Sequence, residues 1–191
     1  YATGPNSCDY GTDGIYINNG DVYIGDKNVA TQEEYYDQAT KIASDFVEEK
    51  DKQAEEDADP ETVEWLPLGV FAVVDTNQTK SDMTLQLAIN KEGMIRGNLK
   101  VDLTDQVLQV KGSVDKQTQR AAFTFEGKKD IVVEAGLYNL TEDVLTVLVH
   151  HGKDKQEQRG LVRLVPPEEE SEENEQGSQE PKAASGAPTG K

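Results

Sequence analysis

The chain has 191 residues, of which 35% are hydrophobic and 6% aromatic, and a formal net charge of −18 at pH 7. That length suits one medium domain or a small one with appendages, and the low apolar share places part of the chain outside any core. An acidic excess of this size repels phosphate, which argues against nucleic acid and anionic membranes as partners, and no apolar run is long enough to cross a membrane or act as an export signal.

Residues 1–12, "YATGPNSCDYGT", predict a loose segment without apolar period. A chain that starts at Tyr1 is expected to have been processed or truncated there. Cys8 is the only cysteine, so no disulfide forms within the chain. It reads as a small residue in a loose terminus, with an intermolecular bridge as the alternative.

Residues 13–30 predict a β-hairpin. With Asn19-Gly20 at the corner, Ile15, Ile17, Val22 and Ile24 form one aliphatic face, and Tyr16 pairs with Tyr23 on the other. Asn-Gly favours a type I′ turn because both central residues need positive φ. "GDKNVA" is expected to form a second turn. A hairpin alone is marginal, so its aliphatic face must rest on something.

Residues 31–58 predict an acidic amphipathic helix. Thr31 and Glu34 fit a capping box, and Tyr35, Ala39, Ile42 and Phe46 form an apolar stripe. The stripe ends at Val47, and Pro60 bars continuation. Residues 31–64 hold 13 acids and 3 bases. The run 55–64 reads as a solvated charged face that can hold divalent cations loosely.

From residue 59 to 166 the period alternates, and acids and bases balance at 13 each from residue 65. Segments from "LGVFAVV" to "RGLVRLV" predict about eight short strands with short polar links. Such links leave no room for crossover helices, so the sheet is antiparallel and meandering. The fold class is mainly β: an up-and-down meander closing into a small barrel. Leu85, Leu87, Val110, Phe123 and Leu148 are expected to fill its interior. Residues 167–191 are acidic and then rich in small residues, which predicts a disordered tail.

No catalytic motif stands out. His150 and His151 are adjacent on a strand and point to opposite faces, so they are poorly placed to share a metal; one ring is expected packed and the other exposed. An EF-type calcium loop beginning at Asp9 fails at Gly11 and Gly20. No nucleophile elbow or phosphate loop is present. Glu134 interrupts an apolar strand and is expected to face solvent, paired with Arg120 or Arg163. Trp65, Leu66, Leu68 and Phe71 form a dense apolar start to the barrel. Trp65 reads as a plug that seals one end and docks the helix, or as a ligand-stacking ring at the mouth.

Several stretches resemble a known family. "EWLPLGVFAVV", "LQLAINKEGMIRGNLKVDLTDQVLQVKGSVDKQTQRAAF", "VVEAGLYNLTEDVLTVLVH" and "LVRLVPPE", preceded by "VYIGDKNVATQEEYYDQA", are similar to predicted cell-surface proteins of planctomycete-type bacteria. These are loosely labelled protocadherin-like and have no established activity. The similarity spans residues 13 to 167, with "VDKQTQRA" its most specific piece. It implies an exported protein whose precursor carries an export signal and a low-complexity lead. It supplies no catalytic residue, and no cadherin calcium motif is visible. The family's last strand is often rich in Trp, whereas "RGLVRLV" has Gly160.

The reading is therefore a non-enzymatic, extracytoplasmic structural or interaction module without a cofactor. It would meet a protein partner or a second copy of itself. Tyr16, Tyr23, Trp65 and Phe71 are the candidate contact or ligand surface. The alternative is a carrier that holds a small apolar ligand inside the barrel, and an unrecognised hydrolase ranks last.

Overall fold

The computed structural model describes residues 15–57, 64–75 and 81–165, with the side chains of 45–57 excepted. The expected loose segment 1–12, with Cys8, and the expected tail 167–191 lie outside the described residues. So does most of the acid run 55–64.

The amino-terminal unit follows the local signals closely. β1 (Ile15–Asn18) pairs with β2 (Asp21–Ile24) in the register Ile15↔Ile24, Tyr16↔Tyr23, Ile17↔Val22. Asn19 and Gly20 have φ of +52° and +84°, the paired positive values that a type I′ turn requires. "GDKNVA" departs from expectation. Only Gly25 and Asp26 turn, and β3 (Lys27–Thr31) adds an antiparallel third strand to β2. Ala30 gives that strand its purchase, joining Ile17 and Ile24 against the cluster of Ile15, Val22, Tyr35 and Leu148.

α1 (Gln32–Asp57) begins at the predicted capping box. The Glu34 N–H donates to Thr31 Oγ1 at 3.2 Å, and the Thr31 N–H donates to Glu34 Oε2 at 3.0 Å.

Eight antiparallel strands close the barrel: β4 (Trp65–Val74), β5 (Met83–Asn90), β6 (Met94–Val101), β7 (Gln106–Asp115), β8 (Arg120–Phe125), β9 (Lys128–Gly136), β10 (Val144–His151) and β11 (Lys155–Arg163). Each pairs with its successor, and β11 returns to β4 with Gly160 opposite Val74 and Arg163 opposite Phe71. Alternation along each strand sends Leu85, Leu87, Val110, Phe123, Val133 and Leu161 into the core.

The appendages all dock on one flank. α1 crosses the outside of β7, β8 and β9, where Ala39 and Ala43 meet Ala122 and Val132. Methyl-sized contacts let the helix approach closely enough for the Ser113 hydroxyl to donate to the Ile42 carbonyl. Lys153 Nζ holds the helix start through Glu33 at 2.8 Å. The hairpin's aliphatic face rests on Leu148, on the outer side of β10.

Leu148 therefore corrects the expected core. Leu145 and Val147 belong to the inner cluster and Val149 packs against it, so the opposite parity places Leu148 outside, where the hairpin and Tyr35 cover it. β10 is buried on both faces over much of its length, which is why "VLTVLVH" is apolar at both parities apart from Thr146 and His150.

One barrel end is sealed. A 3₁₀ turn at Asn139–Thr141 buries Leu140 completely. Arg163 stacks its guanidinium 4.7 Å from the Phe71 ring centroid. It donates to the Leu68 carbonyl at 2.5 Å, and to the carbonyls of Leu140 at 3.0 Å and Glu142 at 3.2 Å. Gly69 makes room: its φ is +140°, it follows a bulge beside Pro67, and a Cβ there would lie 2.1 Å from Arg163 Nη1.

Leu148→Ala is expected to cost about 2–5 kcal/mol, the usual range for a buried leucine. Urea denaturation would measure it. Hydrogen exchange should show the hairpin loosened before the barrel strands, because the lost contacts join the two.

Candidate functional site

Among the described residues, nothing covers the end opposite the Arg163 seal. The β6–β7, β8–β9 and β10–β11 turns lie there, and residues 76–80, which join β4 to β5 at this end, lie outside the described residues. Inward-facing residues leave a cavity of about 290 Å³ beneath it. Val73, Leu85, Leu99, Phe125, Val133 and Val147 line its wall. Leu85, Leu87, Val110 and Phe123 pack in the core as expected, and the cavity lies beside them. Phe71 and Phe123 are fully buried in the core, whereas Val73, Val133, Val147 and Val149 line the hollow.

Polar side chains form the rim. His151, Glu157 and Arg159 face inward from the ends of β10 and β11. The His151 Nε2 lies 3.0 Å from Glu157 Oε1, and Arg159 donates to that same oxygen from Nε at 3.1 Å and Nη2 at 3.0 Å. Arg159 Nη1 pairs with Asp75 Oδ2 at 3.2 Å. The hydrogen bond with His151 lowers the Glu157 pKa, burial opposes it, and the bonds and charge of Arg159 add to the lowering. Glu157 therefore stays an ionised acceptor at neutral pH. Lys128 also lines the mouth and is exposed.

The predicted surface residues do not converge on this cup. Tyr16 and Tyr23 stack at 5.1 Å with an interplanar angle of 7° on the outward face of the hairpin, and Tyr16 is 45% exposed. Trp65 begins β4 near the sealed end and is half-buried on the outer wall, with the Arg96 guanidinium 5.2 Å from its ring centroid. It borders an outer groove with Gln86, Asn98, Gln109 and Lys111. It is therefore neither a plug nor a mouth ring, and α1 docks elsewhere. Phe71 is wholly buried and offers no surface.

The histidines separate as expected. His150 is fully buried under α1, and His151 is partly exposed at the mouth. Glu134 corrects the expectation of a solvated face, because it too is fully buried, between β9 and α1. Its pairing with Arg120 does form, with Arg120 Nε donating to Oε1 at 2.5 Å. His150 Nε2 lies 3.3 Å from Oε2, and its Nδ1 has no partner among the described residues. Arg120 also donates to Gln38 Oε1 at 2.6 Å and lies 4.1 Å from the Tyr35 ring centroid. A signal for this burial was present. In "IVVEA" both parities are apolar apart from Glu134, as on a strand covered on both sides.

Burial alone would raise the Glu134 pKa, but the Arg120 charge and the bonds from His150 and Arg120 outweigh it and hold the carboxyl below its ordinary value of 4.5. A carboxyl with a depressed folded pKa contributes stability that is complete above the unfolded value and is lost as pH falls through the folded one. Stability should therefore drop below pH 4.5, and Glu134→Gln should flatten that slope in urea titrations across the acid range. At neutral pH the same variant leaves a buried guanidinium uncompensated and should cost about 3–5 kcal/mol. Arg120→Met combined with Glu134→Leu should cost less than either change alone.

Among the described residues no His, Cys, Asp and Glu group has metal-site geometry, and no helix is long and apolar enough to cross a membrane. No family model, curated protein or solved structure matches the chain.

Proposed function

We propose that this is a non-enzymatic binding protein that takes one small apolar molecule into the open half of its barrel. The observation that carries the reading is the cavity of about 290 Å³, walled by aliphatic and phenyl groups and rimmed by a few fixed polar ones. That composition, mostly apolar with sparse oriented polar groups, is typical of small-molecule sites, and the volume falls near the lower end of their range. It is roughly twice a cavity of ~150 Å³ that holds benzene. An eight-carbon chain would gain on the order of 6 kcal/mol from transfer at about 0.8 kcal/mol per CH₂, before association costs. That gain alone would correspond to a Kd of about 40 μM, and association costs weaken binding from there.

A second reading, a protein-contact module, is supported by the stacked Tyr16–Tyr23 pair, of which Tyr16 is exposed and Tyr23 partly so. Stacked tyrosines present a rigid amphipathic surface at small entropic cost. The two readings are compatible, since the pair and the cup lie on different elements.

Naphthalene titrated into the full chain should shift the NMR signals of Leu99, Phe125 and Val147 and leave the hairpin signals in place. Val149→Trp should fill the mouth and abolish those shifts while the fold persists. Unmoved cup signals at saturating naphthalene would refute the proposal.

A further inference from the structure

Taking the cup as a binding site, we infer that its preferred ligand is an apolar molecule ending in a hydrogen-bond donor, a hydroxyl or an amine, which docks against Glu157 at the mouth. The inference rests on which polar atoms at the rim are already engaged. Arg159 directs Nε and Nη2 to Glu157 and Nη1 to Asp75, so each of its three nitrogens faces an acid. All three of those hydrogen bonds and ion pairs are between 3.0 and 3.2 Å long. Glu157 is used unevenly. Its Oε1 takes the bonds from His151 and Arg159, whereas Oε2 accepts from no donor among the described residues.

Position adds to this. Glu157 lines the cup from β11, four residues before Leu161, which lies on the same inner face. A chain lying along the wall therefore brings its end group to the carboxylate. Fixing by His151 and Arg159 means that Glu157 needs no reorganisation to receive a donor, and an ionised carboxylate only accepts.

A carboxylate head is disfavoured at the same place. It would approach Glu157 and Asp75, two acids, and would have to displace one of them from Arg159. Lys128, the other Lys or Arg lining the cup among the described residues, is exposed and screened by solvent. The net charge of −18 further repels anions from the molecule as a whole.

Isothermal titration of the full chain with 1-octanol, octylamine and octanoate tests the assignment, with naphthalene as the probe that lacks a head group. Octanol and octylamine should bind about tenfold or more tightly than octanoate, in line with a hydrogen bond to a charged acceptor. Glu157→Gln should narrow or reverse that preference. Octanoate binding as tightly as octanol, or a preference unchanged by Glu157→Gln, would overturn the head-group assignment. So would failure of all three octyl ligands while naphthalene binds, and the cup itself would then stand. Failure of naphthalene as well would remove the cup and this assignment together. Should Glu157→Gln not fold, the ligand series on the unaltered chain decides alone.

Discussion

The pairing of β11 with β4 is the constraint on which the rest of the molecule depends. Seven consecutive hairpins would leave a twisted sheet with two unpaired edges, open to another chain. Closure through Gly160↔Val74 and Arg163↔Phe71 removes both edges and turns one face of the sheet into an interior. It also carries Arg163 over Phe71, where one guanidinium meets three carbonyls from two separate stretches of chain. The seal and the closure are therefore one event. A barrel shut at one end and unfilled at the other is a cup.

The same economy governs the outer wall. On the flank of β7 to β10 the outward positions hold Ser113, Arg120, Ala122, Val132, Glu134, Leu148 and His150, and all are buried. Small residues there admit the helix, leucine admits the hairpin, and Arg120 and His150 both bond to Glu134 in the gap. Such a buried pair is weak support for net stability, because desolvation consumes most of its Coulombic gain. Its geometric demand is stronger. Arg120 must find Glu134 on the neighbouring strand and Gln38 on the helix together, and this singles out one seating of α1 among many that alanine contacts alone would tolerate.

Much of the architecture was legible in the chain because its signals are local. The turn dipeptide fixed the register of Ile15 to Ile24, Thr31 and Glu34 marked the start of the helix, and period-two runs separated by Gly and polar links gave the eight strands. Alternation tells which residues share a face, but it does not tell what covers that face. This is why Leu148 was placed inside and Glu134 in solvent. Nor does it report volume: Phe123 and Val133 read alike as inward residues and sit opposite each other in the register, yet nothing in their alternation tells how much of the space around them is filled. The rim of His151, Glu157 and Arg159 carries no spacing that distinguishes it from ordinary charged strand ends. Its chemistry exists only once closure has brought β10 and β11 around the mouth.

β10 has a consequence of its own. Its odd-numbered residues Val147, Val149 and His151 look into the cup, and its even-numbered residues Leu148 and His150 support the hairpin and helix. One pleated ribbon is thus the shared partition between two compartments of opposite chemistry, one apolar and one ionic. Loss of a single residue before Val147 would exchange the two surfaces, setting an imidazole into the apolar hollow and a valine beside Glu134. Evolution can therefore adjust this strand in size but hardly in length, and changes in the shape of the hollow have to come from the other walls.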